Sequence, residues 1–98
     1  MKPSCYIIYS SNQDKFYIGA THKGVESRLF KHNSGYYGSK HFTCIANDWV
    51  VYLDICADNF SHALRMEKHI KRMRTRTYYQ NLKRYPELRQ KLINSTRI

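Results

Sequence analysis

With 98 residues and a hydrophobic content of 42%, the chain has material for one modest core and no second domain. Lysine and arginine number 17 against 7 acidic residues, a formal charge of +10, and so positive a field on so small a protein points to a polyanionic partner. No run approaches the ~20 apolar residues of a membrane span, and no basic stretch carries a long apolar face for lying on lipid, so a membrane partner is not expected.

Ser4 to Ser10 reads Ser-Cys-Tyr-Ile-Ile-Tyr-Ser, β-branched and aromatic, which predicts a strand. Ser11 to Asp14 is a polar turn, and Lys15 to Ala20 (Lys-Phe-Tyr-Ile-Gly-Ala) predicts a second strand, closing an antiparallel hairpin. Tyr6 and Ile8 fall on one face of the first strand, Ile7 and Tyr9 on the other. Gly19 inside a strand marks a place where another group comes close to the backbone. Val25 to Asn33 predicts a helix with Val25, Leu29, Arg28 and His32 on its inward side, ended by Asn33-Ser34-Gly35. Arg28 could lie along the surface with its stem packed, and His32 could be a boundary histidine charged by the helix dipole.

Tyr36 to Asn47 reads as a loop carrying Gly38, Lys40 and His41. Trp49 to Cys56 is the clearest strand in the chain, and Asn59 is a candidate helix cap. Phe60 to Arg74 predicts a strong amphipathic helix whose apolar arc contains Ala63, Leu64, Met66, Ile70 and Met73. Glu67 falls near the middle of that arc. A carboxylate there needs a compensating cation, either a metal or an ion-pair partner such as Arg28 or Lys71, or an escape to water at the helix edge. From Thr75 the chain is basic and tyrosine-rich, and Pro86 to Ile93 predicts a last helix with proline in its first turn. The order β-β-α-β-α-α implies a small α/β (α+β) fold, a three-stranded antiparallel sheet flanked by helices, in a single domain over residues 1–98 with a basic helical extension from about residue 75.

The three cysteines, Cys5, Cys44 and Cys56, are odd in number, form no Cys-x-x-Cys pair and follow no evident signal peptide. Free, mostly buried thiols in a reducing cytoplasm are expected. A zinc site from His41, Cys44, Cys56 and His62 can be drawn, but its spacings match no common pattern.

Tyr6, then Tyr17-Ile18-Gly19, then Arg28 and His32 inside Arg28–Gly35, then Glu67 inside Ala63–Lys71, is a constellation that resembles the GIY-YIG nuclease superfamily. It is similar to the short standalone members and to the N-terminal nuclease module of the bacterial excision-repair incision subunit, over about Ser4 to Arg76. The first motif keeps only its tyrosine, Ser4-Cys5-Tyr6, and the late asparagine of the family has Asn81 as its candidate counterpart. The resemblance implies an endonuclease that hydrolyses phosphodiesters with one divalent ion, magnesium or manganese, on DNA rather than RNA, directed by nucleic-acid structure more than by sequence. It implies Glu67 as the metal ligand, Arg28 on the scissile phosphate, Tyr6 as base with His32 as the alternative, and Tyr17 orienting water or a phosphate oxygen. Lys40, Lys71, Arg72, Arg74, Arg76 and Asn81 are candidate nucleic-acid contacts. The alternative function is a non-catalytic nucleic-acid-binding module, in which the stretch from Lys68 to Arg84 neutralises phosphates and Tyr78, Tyr79 and Tyr85 stack on unpaired bases.

Overall fold

A computed structural model describes residues 2–98. Its sheet has three antiparallel strands in the order β2-β1-β3, with β1 (Ser4–Ser10) between β2 (Lys15–Thr21) and β3 (Val50–Cys56). The central place of β1 follows from its sequence. Cys-Tyr-Ile-Ile is apolar on both faces, and Ser4 to Ile8 are all buried. On one face Tyr6 and Ile8 pack with Val25 and Trp49, beneath helix α1 (Val25–Ser34). On the other, Cys5 and Ile7 join Ile18 and Ile55 against Ala63, Met66 and Ile70 of helix α2 (Phe60–Met73). The expected order β-β-α-β-α-α holds, with element ends moved by one or two residues.

The strand with the plainest sequence pattern, β3, lies at a sheet edge with Val50 and Val51 exposed and only Ile55 buried. Apolar patterning reports suitability for a pleat, whereas position in the sheet is decided by which strand has both faces covered. The hairpin turn is tied down by Asp48, whose carboxylate accepts from Ser10 Oγ at 2.5 Å and from the Asn12 amide at 2.9 Å.

Asn59 caps α2 as expected, accepting from the His62 amide at 2.8 Å. Gly35 closes α1 in the left-handed region, φ 72°. Beyond α2 the basic helical extension expected from about residue 75 consists of two helices. The basic tyrosine-rich stretch is a helix, α3 (Arg76–Arg84), followed by α4 (Pro86–Ser95). Thr75 caps α3 by accepting from the Tyr78 amide at 3.1 Å. Tyr78, Tyr79 and the fully buried Leu82 give α3 its inward stripe, with the tyrosine rings supplying apolar area that a count of aliphatic residues misses. Tyr79 packs 5.2 Å from the Phe16 ring, so Tyr78 and Tyr79 are committed to the core rather than offered to bases. Arg89 donates to the carbonyls of Leu82 and Lys83, both at 2.7 Å, satisfying the end of α3.

The segment between α1 and β3 is an ordered arch with one 3₁₀ turn, Phe42–Ile45. Asn33 clamps its exit, donating to the Trp49 carbonyl at 2.9 Å and accepting from the Trp49 amide at 2.7 Å. The buried Trp49 indole in turn donates to the Thr43 carbonyl at 2.9 Å. The arch is thereby held against the inner end of α1.

If α3 is part of the core, Leu82→Ala should cost about 2–5 kcal/mol, the range for truncating a buried leucine. Urea denaturation measures this directly. A loss below about 1 kcal/mol would show α3 to be a loosely docked tail.

Candidate active site

Tyr6 stands opposite Gly19 in the β1–β2 ladder, and its ring lies across the glycine. A Cβ at position 19 would come within 2.5 Å of Tyr6 Cζ and Oη, so the glycine makes room for the phenol. The Tyr6 hydroxyl is buried and meets His32 Nε2 at 2.9 Å. His32 is 2% exposed, and its other nitrogen, Nδ1, lies 2.8 Å from Thr43 Oγ1. Burial first, then the positive fields of His41 and Arg28, hold the His32 pKa down to about 4. The histidine is therefore neutral at physiological pH, not a dipole-charged boundary residue. Tyr6 moves the other way, its phenol held above the ordinary tyrosine range chiefly by burial.

Arg28 lies one turn before His32 on α1 and donates from Nη1 to the Tyr37 hydroxyl at 2.9 Å. The Tyr37 ring stacks on His41 at 4.9 Å. Tyr17, half-buried, borders His32 at 5.0 Å and His41 at 5.6 Å between ring centroids. The Lys71 ammonium sits 5.7 Å from the Tyr17 ring centre and donates to Glu67 Oε2 at 2.6 Å. Partial burial disfavours the charge on Lys71, but the bond and the field of Glu67 outweigh it and raise its pKa.

Glu67 is not in the middle of the buried face. Leu64 and Met73 are 44% and 43% exposed, and the face that enters the core is Ala63, Met66 and Ile70 with His62. Removing Leu64 from the arc rotates its centre away from Glu67, which lies at the margin with its side chain 18% exposed. Of the compensations open to it, the structure shows the Lys71 ion pair and partial access to water.

Tyr6, Tyr17, Arg28 and His32 thus come together from three elements, with Glu67 and Lys71 at the rim. Three participants carried no catalytic signal in the sequence, Tyr37, His41 and Thr43, whereas the pairing of Lys71 with Glu67 was among those expected. The aromatic and histidine density of Tyr36–Thr43 was the available hint. The candidate nucleic-acid contacts do not form one patch. Arg72 borders a groove of about 300 Å³ that also draws on Arg65, Lys68, His69 and Arg97. Lys40 and Arg74 are exposed, and Asn81 is half-buried on α3. Arg76 is engaged elsewhere, donating to Asp14 Oδ1 at 2.7 Å and to the Asp14 carbonyl, which ties the start of α3 to the hairpin turn.

The cysteines are free, but only Cys5 is buried, while Cys44 and Cys56 are exposed. The four residues drawn as a zinc site are dispersed. Cys44 donates to the Ser39 carbonyl, Cys56 ends the edge strand, and His62 is buried against Ile93 and Thr96. No group of three or more His, Cys, Asp or Glu side chains is arranged to hold a metal among the described residues.

The family model of the GIY-YIG catalytic domain matches residues 2–82, from the first strand through most of α3. The chain belongs to the GIY-YIG family. This is a family of nuclease domains, and its substrate class is nucleic acid. No curated protein and no solved structure matches the chain significantly. Within this GIY-YIG domain the matched region includes the whole cluster from Tyr6 to Lys71, while α4 lies beyond it.

The buried neutral histidine has a measurable consequence. An unfolded His32 protonates near pH 6.5, the folded one near pH 4. Between those values the unfolded chain binds the extra proton, so stability falls as pH falls through that window. The contribution is on the order of 3 kcal/mol when fully developed. Urea midpoints at pH 7 and pH 4.5 should separate widely for the unmodified protein and less for His32→Gln. Equal separations would place the acid sensitivity elsewhere.

Proposed function

We propose that this GIY-YIG domain is a divalent-metal-dependent endonuclease that hydrolyses phosphodiester bonds in DNA and selects substrates by structure more than by sequence. The observation that carries the reading is the convergence of the Tyr6–His32 pair, Tyr17 and Arg28 beside the Glu67 carboxylate at the site rim. DNA is favoured by the resemblance to DNA-cutting standalone members. Structure-directed choice is supported by the basic groove of Arg65, Lys68 and Arg72, since contacts from such side chains to phosphates carry no sequence information.

The residues have distinct tasks. Arg28, freed from Tyr37, offers a planar guanidinium fork to the scissile phosphate. The Tyr6–His32 bond turns two alternative bases into one unit. The phenol oxygen takes a proton from the attacking water while its own proton passes to His32 Nε2. At rest the pair is neutral, because burial disfavours both the phenolate and the imidazolium. An anionic phosphate beside Arg28 adds the negative charge that raises the His32 pKa toward a working value. Tyr17, between the histidines and Lys71, orients the water.

A single partly exposed carboxylate fits magnesium or manganese, which bind through one or two carboxylates, substrate phosphate oxygens and retained waters. Glu67 would hold the ion in exchange for Lys71. When bound, the ion supplies charge stabilisation at the phosphate and the leaving oxygen.

Nicked, flapped, branched and single-stranded DNA, incubated with and without magnesium or manganese, tests the reading. Cleavage should require the ion, and Glu67→Gln should lower it by about 10³-fold or more, since the ion contributes several kcal/mol and each 1.36 kcal/mol is tenfold in rate. Folding should survive, because a solvent-reaching pair such as Glu67–Lys71 is worth at most about 1 kcal/mol. Unchanged cleavage in Glu67→Gln would move the metal site elsewhere. Gel shifts with or without metal, and no cutting of any substrate, would establish the binding-module alternative.

A further inference from the structure

His32 has two ring nitrogens and, when neutral, one ring hydrogen. Its usefulness to Tyr6 depends on which nitrogen carries it. Hydrogen on Nε2 would face the Tyr6 hydroxyl with a donor and leave no lone pair for the phenol proton. Hydrogen on Nδ1 leaves Nε2 free to accept.

The hydrogen bonds of the arch decide between the two. The Thr43 backbone amide lies 3.2 Å from His41 Nδ1 and can only donate, so His41 Nδ1 bears a lone pair. Thr43 Oγ1 lies 2.9 Å from that same nitrogen. The hydroxyl hydrogen turns there and shares with the amide the single lone pair of that nitrogen, since a hydroxyl lone pair facing it would be repelled. A threonine hydroxyl has only one hydrogen. Toward His32 Nδ1, 2.8 Å away, Oγ1 therefore presents a lone pair, and His32 Nδ1 is the donor. His32 Nε2 is then the acceptor, and the Tyr6 hydroxyl donates to it at 2.9 Å. The chain of donors runs Tyr6 to His32, His32 to Thr43, Thr43 to His41.

The geometry is built rather than incidental. Thr43 is 1% exposed. Its carbonyl accepts from the Trp49 indole, and Asn33 fixes Trp49 by two bonds. His41 caps the 3₁₀ turn that presents Thr43 and is stacked on Tyr37.

We propose that Thr43, with His41 behind it, is a positioning element that fixes His32 in the Nδ1–H tautomer and so makes His32 Nε2 the acceptor for the Tyr6 proton. Its bearing on rate rests on the nuclease reading above, whereas the tautomer rests on the hydrogen bonds alone. As the Tyr6 proton moves to Nε2, the Nδ1–H bond to Thr43 Oγ1 also steadies the imidazolium that forms. The logic is that of a nucleophile–base pair oriented by a third group, with a neutral hydroxyl as the orienting group.

Long-range ¹H–¹⁵N correlation of the histidine rings reads the tautomer without any cleavage assay. The unmodified protein should show His32 with a protonated Nδ1 and an unprotonated Nε2. Thr43→Val, which keeps shape and loses the hydroxyl, should move His32 toward Nε2–H or a mixture, and Thr43→Ser should keep the Nδ1–H pattern. Under single-turnover conditions with magnesium, Thr43→Val should lower the rate about 10²-fold with substrate affinity unchanged. That is less than the ~10⁴-fold lost when a charged orienting carboxylate is removed. Thr43→Ser should stay within about threefold of the unmodified rate. An unmodified protein with Nε2–H on His32 overturns the proposal whether or not Thr43→Val folds. So does a Thr43→Val protein that keeps the Nδ1–H pattern, or equal rate losses in the serine and valine variants. A protein that cuts no substrate yet shows the Nδ1–H pattern and its loss in Thr43→Val would overturn the nuclease reading and leave the tautomer assignment standing.

Discussion

A phenol hydroxyl buried on the covered face of a three-stranded sheet must find a partner or carry a desolvation cost of about 1–3 kcal/mol. Tyr6 finds His32, which is then itself buried and must satisfy its second nitrogen, and Thr43 does that. Thr43 is presented by a 3₁₀ turn that His41 caps and that Trp49 and Asn33 hold in place. Gly19 belongs to the same chain of dependence, since any side chain there would strike the Tyr6 ring. One buried hydroxyl thus sets requirements on β2, on α1 and on the segment that joins α1 to β3. The site and that half of the fold are one construction.

Charge is distributed with a similar economy. Several of the few carboxylates act as staples: Asp14 holds Arg76, Asp48 holds the hairpin turn, Asp58 holds Arg97, and Glu67 holds Lys71. Most of these pairs are exposed and individually weak. The Glu67–Lys71 pair lies within α2, whereas the other three join segments far apart in the chain, such as the hairpin turn and the start of α3. Arg65, Lys68 and Arg72, on the outer side of α2, face the basic groove. The rest of the basic excess is spread over the surface, with Lys40 and Arg74 exposed elsewhere and Arg76 held by Asp14.

The rear face of the sheet shows how tyrosine serves a small protein with limited aliphatic material. Phe16, Tyr52 and Tyr79 pack edge to face and tilted at about 5 Å, while Lys83 lies over the Tyr52 ring. Rings in these geometries stabilise beyond their buried area. They also draw α3 into the core, so the tyrosine-rich stretch that suggested a stacking platform is structural in its first half. Tyr85, at the junction of α3 and α4, keeps an open face.

Local chemistry was enough for much of this. Alternation and β-branching predicted the hairpin. A glycine within a strand predicted a close approach, which proved to be the Tyr6 ring. Four ordered motifs predicted the family. These features are written in spacings of one to four residues and need no knowledge of distant neighbours. Tertiary structure decided what depends on neighbours far along the chain. It placed β3 at an edge, because coverage of both faces belongs to the whole sheet. It moved Glu67 from the centre of an apolar arc to its margin, because the true buried face of α2 is the one that meets β1 and β2. It seated α3 against Phe16 and the core. Above all it made His32 neutral and assigned its partners, because a histidine's charge and tautomer are set by burial and by the groups that surround it, here Tyr6 and Thr43 from opposite sides in sequence.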